Sequence, residues 1–161
     1  HGGWLHLISN MWSLYIFGDN VEDALGRFRY FMFYMLSGMG AALAQVAIDP
    51  DSMVPMVGAS GAIAGVLGAY MRLFPHARVV TLIPILFFFV LREIPAVLFI
   101  VFWFALQVFM GLGSLAPIQA GGSEGGVAFF AHIGGFIAGL LLVNKLRPAR
   151  NPTAGFRRPG F

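Results

Sequence analysis

Cysteine is absent from the 161 residues, which excludes disulfides and thiol chemistry. Charge is nearly absent too. Asp, Glu, Lys and Arg make up 11% of the chain against 58% hydrophobic residues, and the mean hydropathy is +0.80. That balance lies outside the range of a soluble globular domain. The chain reads as an all-α, polytopic membrane bundle, with length for five or six spans of roughly 20 residues each. It opens at His1, without a methionine and already inside an apolar run, so we read it as truncated at its N-terminus.

Apolar runs at 4–18, 28–48, 57–73, 94–112 and 128–146 carry Asp, Glu, Lys or Arg only near their ends. Each is expected to span. Between them, stretches such as "GDNVEDALGR" and "DPDSMVP" have the composition of turns and loops. A sixth run, "VVTLIPILFFFV" at 79–90, is short and broken by Pro84. It is expected to lie at the interface or against the bundle. With five spans, all ten Lys and Arg (Arg27, Arg29, Arg72, Arg78, Arg92, Lys145, Arg147, Arg150, Arg157, Arg158) fall on one side. The opposite loops hold only Asp49, Asp51 and Glu124. The positive-inside rule then places the C-terminus in the cytoplasm. Residues 1–147 form the expected membrane domain, and 148–161 a basic cytoplasmic tail without fixed structure. The net charge of +3 thus marks topology and lipid headgroup contact rather than nucleic-acid binding.

Polar side chains at membrane depth are costly, so those present are candidates for function. His6 and Asn10, four apart in "HLISN", share a helix face that Ser13 continues. Ser60 opens the third run within "GASGAIAG", and His132 lies a few residues into the last. Taken singly, each has a plainer explanation: small residues let membrane helices approach, and a lone His or Asn can bridge helices. Topology favours a site, because the runs bearing His6, Ser60 and His132 all begin on the outer side. Each residue lies within about 10 Å of that start at 1.5 Å per residue.

A serine and an imidazole at one depth suit hydrolysis, with Ser60 as nucleophile and His132 as base. No carboxylate falls within a run, so a dyad is expected rather than a three-member triad. The N–H of Ser60 at a helix start, with the Asn10 and His6 side chains, could hold an oxyanion. Gly58 and Gly61 would allow a substrate backbone to approach. Other chemistries fit less well. The stretch lacks G-x-G-x-x-G and G-x-S-x-G spacing. His1, His6 and His132 come without H-E-x-x-H or a carboxylate, which argues against zinc. No cofactor or metal is called for.

Three ordered motifs, "HLISN", "GASG" and "AHIGG", resemble those of the rhomboid intramembrane serine proteases. So do "GDNVEDALG", similar to a G-x-x-x-E-x-x-x-G turn, and the G-x-x-x-G at Gly135 and Gly139. The resemblance covers essentially the whole chain. It implies a six-helix fold of which helices two to six are present, with Ser60 and His132 as the dyad and Asn10 and His6 as oxyanion donors. Gly135 and Gly139 would form the face that packs the last helix on the serine helix. Substrates would be single-span membrane proteins, cut near the outer membrane face. The 94–112 helix and "GLGSLAPIQAGGSEGG" would be a lateral gate and cap. Phe99, Phe102, Trp103 and Phe104 read as lipid-facing or core residues, and Gln45 as either a water holder or a structural bridge. Ala64 stands where many members carry an aromatic ring that stacks on the base.

Two rivals to a protease were weighed. Non-cleaving relatives of the family lack the serine or the histidine, and both are present here. A transporter would show an internal repeat, and none is visible. Short loops and absent cysteine point to a bacterial cytoplasmic membrane; oligomeric state is left open.

Overall fold

The computed structural model describes residues 1–53, 55–85, 88–115 and 128–148. The basic tail beyond 148, Glu124 and most of the Gly-rich loop lie outside them.

Apolar runs too long for a strand become helices: α1 (Trp4–Leu25), α2 (Arg27–Ile48), α3 (Ser60–Leu73), α4 (Ala96–Ser114) and α5 (Phe129–Leu146). Their directions follow from the side chains that meet. Gly61 faces Ala41 of α2 and Ala131 of α5, while Gly65 faces Ser37 and Gly135, so α3 runs parallel to α5 and antiparallel to α2. Phe17 of α1 meets Tyr70, and Phe104 of α4 stacks on Phe136. Helices α1, α3 and α5 therefore run one way, α2 and α4 the other.

The middle of this bundle is α3. Every residue from Ala62 to Tyr70 is buried, an arrangement open only to a helix with no polar face. With 14 residues it spans about 21 Å at 1.5 Å per residue, short of a bilayer core of roughly 30 Å. Of the five expected spans, three (α2, α4 and α5) are long and apolar enough to cross a membrane. Helix α3 is too short, and α1 carries Asp19, Glu22 and Asp23 in its last turns.

Two segments depart from the expected turns. "GDNVEDAL" is not a loop but the end of α1, because Phe17, Val21 and Leu25 recur every four residues and all three are buried. The turn itself is confined to Gly26, whose φ of +81° is left-handed. Glu22 reaches across it to Arg27 at 3.5 Å. Gly18 lets the Tyr30 ring come close: a Cβ there would lie 2.9 Å from its hydroxyl. The 79–90 run, in turn, belongs to an antiparallel hairpin, β1 (Arg78–Ile85) and β2 (Phe88–Pro95), with Leu82 opposite Leu91. β-Branched and aromatic residues between proline positions favour that form over helix. Its open end is tied to the bundle where Ala96 N–H donates to Ala77 O at 2.8 Å.

Candidate active site

Ser60 is the first residue of α3. The ladder begins with Ile63 N–H donating to Ala59 O, so the N–H groups of Ser60 and Gly61 precede it and stand at the positive end of the helix dipole. In α5, His132 is also in its first turn, likewise bonded back to Ala128 O at 3.2 Å. Because α3 and α5 are parallel, the two side chains meet. His132 Nε2 lies 2.7 Å from Ser60 Oγ.

The other ring nitrogen decides the direction of that bond. His132 Nδ1 is 2.7 Å from Gln107 Oε1, on α4. A carboxamide oxygen only accepts, so Nδ1 carries the proton and Nε2 keeps a lone pair toward the Ser60 hydroxyl. A hydroxyl donating to an imidazole held in this tautomer is competent for proton abstraction.

Asn10 and His6 approach from α1. Asn10 is buried, donates one amide hydrogen to His6 O at 3.0 Å and lines a cavity beside Ser60. Gly2 N–H donates to His6 Nδ1 at 3.3 Å, which leaves Nε2 as the donor of the neutral ring. That nitrogen lies beside Gly58, where a Cβ would come within 2.8 Å of it. Gly58 also has φ of +106°, so any side chain is strained there. A Cβ on Gly61 would meet Ala41 Cβ at 2.6 Å, so α2 packs closely on this glycine, and Gly58 and Gly61 also line another cavity beside Ser60. Gly135 and Gly139 abut Gly61 O and Gly65 O respectively, backbone on backbone.

A cavity of about 280 Å³ joins these groups, lined by His6, Asn10, Ser13, Ser60, Trp103 and His132 among others. A second, of about 420 Å³, reaches Ser60 from the α2 side past Met35, Met39 and Met56. Trp103 packs against the hydrophobic core and Phe99 stacks on Phe17, in keeping with a core or lipid-facing place. Both line the first cavity, and the Trp103 ring lies 5.8 Å from that of His132, where Ala64 provides no ring. Gln45 accepts a hydrogen bond from Ala131 N–H at 3.2 Å, tying α2 to the start of α5. Gln107 was not singled out in the sequence, although it is the one amide in an otherwise apolar run, the same signal that marks Asn10. Among the described residues no three His, Asp or Glu converge as a metal site.

Comparison with known proteins gives the chain a family. A family model described as the Rhomboid domain matches residues 1–149. The chain belongs to the rhomboid family. Among similar proteins, Rhomboid-like protein 11, chloroplastic, of Arabidopsis thaliana is 33% identical over 89% of this chain and 48% of its own. Rhomboid protein 1, mitochondrial, of Saccharomyces cerevisiae is 33% identical over 96% of this chain and 44% of its own. RHOMBOID-like protein 4 of Arabidopsis thaliana is 32% identical over 92% and 32%. The chain thus spans less than half the length of these relatives. No solved structure matches. As a rhomboid, the chain is a helical membrane protein. Two of these relatives are named for chloroplast and mitochondrion, so they lend no support to a bacterial source.

Proposed function

We propose that this rhomboid is an intramembrane serine endopeptidase that cuts single-span membrane proteins near the outer membrane face through a Ser60–His132 dyad. The observation that carries the reading is the 2.7 Å contact between Ser60 Oγ and His132 Nε2, with Nδ1 occupied by Gln107. Ser60 Oγ attacks the scissile carbonyl carbon as its proton passes to Nε2. The carbonyl oxygen becomes an oxyanion, held by the second amide hydrogen of Asn10, by His6 Nε2–H and by the N–H of Ser60. His132 then returns its proton to the leaving amine and the C–N bond breaks. Water, giving a proton to the same nitrogen, attacks the ester carbon; the bond to Ser60 Oγ breaks, Oγ regains the proton from His132, and the acyl group leaves as the carboxylic acid. No carboxylate takes part.

The depth of the site fits the substrate class. His6, Asn10, Ser60 and His132 lie within the first turns of α1, α3 and α5, so a peptide bond entering from the bilayer need descend only about 10 Å. The far ends of these helices, where Arg27, Arg72 and Lys145 stand, would then face the cytoplasm and contact anionic lipid.

The test is a reporter protein with one transmembrane segment, incubated with the full-length protein in vesicles. Cleavage by wild type and none by Ser60→Ala is expected. Cleavage that survives Ser60→Ala would sink the mechanism.

A further inference from the structure

We infer that α4 carries the orienting apparatus of the imidazole: Gln107 is a positioning residue that fixes the His132 tautomer, and it does so only while α4 is seated against α5. The inference rests on the proteolytic reading for its effect on rate, but its structural content stands apart from it.

A Ser-His dyad without a carboxylate leaves the imidazole free to rotate and to hold its proton on either nitrogen. Only the tautomer with the proton on Nδ1 can accept from Ser60. Among the described residues the acceptor at Nδ1 is the Gln107 oxygen, at 2.7 Å. It lies on α4, whereas His132 lies on α5 and Ser60 on α3. Trp103, one turn earlier on the same face of α4, places its ring against the imidazole at a tilt of 41° and limits its rotation. Both restraints therefore come from one helix.

That helix is held lightly. Its buried residues are Ala96, Ile100 and Gly111, while Leu98, Phe102, Phe109 and Leu112 are exposed. A hydrogen bond of 2.7 Å weakens steeply beyond about 3.2 Å, so an outward shift of α4 by an ångström removes it. Gly111, one turn after Gln107, sets the approach: a Cβ there would meet Phe129 Cβ at 3.3 Å.

The experiment uses the full-length protein carrying ¹⁵N-histidine, with the His132 signals assigned by their loss in His132→Ala. The wild-type ring is expected to show a protonated Nδ1 and an unprotonated Nε2. The reverse tautomer would overturn the inference without any variant. Gln107→Leu keeps the volume and removes the acceptor. It should mix the tautomers and lower kcat on the order of 10–100-fold with KM nearly unchanged, less than the roughly 10⁴-fold cost of enforcing the wrong tautomer in a triad enzyme. Gln107→Glu restores an acceptor and should recover most of kcat. Gly111→Leu, which wedges α4 outward, should give the mixed tautomers of Gln107→Leu, and an unchanged ring would overturn the dependence on α4. Wild-type kcat in Gln107→Leu would overturn the positioning role. Failure of wild type to cleave at all would instead strike the proteolytic reading, and the tautomer would still decide this one.

Discussion

Asn10 and His6 illustrate how one polar group can serve both fold and chemistry. The Asn10 amide has two hydrogens and uses one on the His6 carbonyl, which fixes its rotamer at no cost to the other. In the proposed mechanism, replacing it by Ala removes a donor that strengthens as charge develops on the substrate oxygen. Asn10→Ala is therefore expected to lower kcat by roughly 10²–10³-fold, about 3 kcal/mol, with KM little changed, as steady-state cleavage of a reporter would show. A KM effect alone would mean that Asn10 binds ground state and transition state alike. His132→Ala removes the group that accepts the Ser60 proton, so labelling of Ser60 by a serine-directed phosphonate should fall to background. Labelling at the wild-type rate would identify another base. The four residues His6, Asn10, Ser60 and His132 were legible in the sequence because polar atoms in hydrocarbon demand a reason. Gln107 obeys the same rule and escaped it for a geometric cause. It lies toward the end of α4, which runs against α1, α3 and α5, so its depth matches theirs only once the direction of each helix is counted. Trp103 was hidden likewise, since composition does not say which face of an apolar helix meets the bundle.

At the scale of elements, the contacts that place the dyad are made without side chains. Gly65 and Gly139 bring α3 and α5 together backbone on backbone, and Gly68 extends the seam, where a Cβ would meet Phe136 O at 2.5 Å. Van der Waals packing of this kind drives association where lipid is as apolar as the helices. Gly139→Leu must push two backbones apart and has no flexible partner to yield, so the cost should exceed the 1–3 kcal/mol usual for an overfilled core. Gly3, with nothing within 4 Å of an added Cβ, provides the control. Thermal unfolding in detergent is expected to show a large drop in Tm for Gly139→Leu and none of note for Gly3→Ala; equal midpoints would show that the seam does not hold the helices. The G-x-x-x-G spacing made this seam readable in advance, because both glycines must fall on one face. The hairpin was less so. Twelve apolar residues around Pro84 fit an interfacial helix or a strand pair equally by length, and only pairing between β1 and β2, a non-local event, settles the choice.

Across the whole molecule, Lys and Arg among the described residues gather at one end, where Asp19, Glu22, Asp23 and Glu93 also lie. Arg27, Arg29, Arg72, Arg78, Arg92, Lys145 and Arg147 stand where α1, α3 and α5 finish or where α2 and α4 begin, while Asp49 lies at the end of α2. The dyad lies at that second end. A membrane potential and anionic lipid both favour keeping guanidinium groups on the cytoplasmic face, so the molecule should insert one way only. No cysteine lies in the 161 residues, so a thiol introduced among them is read as the labelling gained over the unsubstituted full-length protein. Asp51→Cys, just past α2, and Arg92→Cys, in the hairpin, are both exposed and far from the dyad's hydrogen bonds. In intact bacterial cells expressing the full-length protein, a membrane-impermeant maleimide should label Asp51→Cys and leave Arg92→Cys unmodified until the membrane is opened. Reversed labelling would turn the cationic end outward and place Ser60 near the cytoplasmic face, and substrates would then have to present their cleavage site from the opposite leaflet.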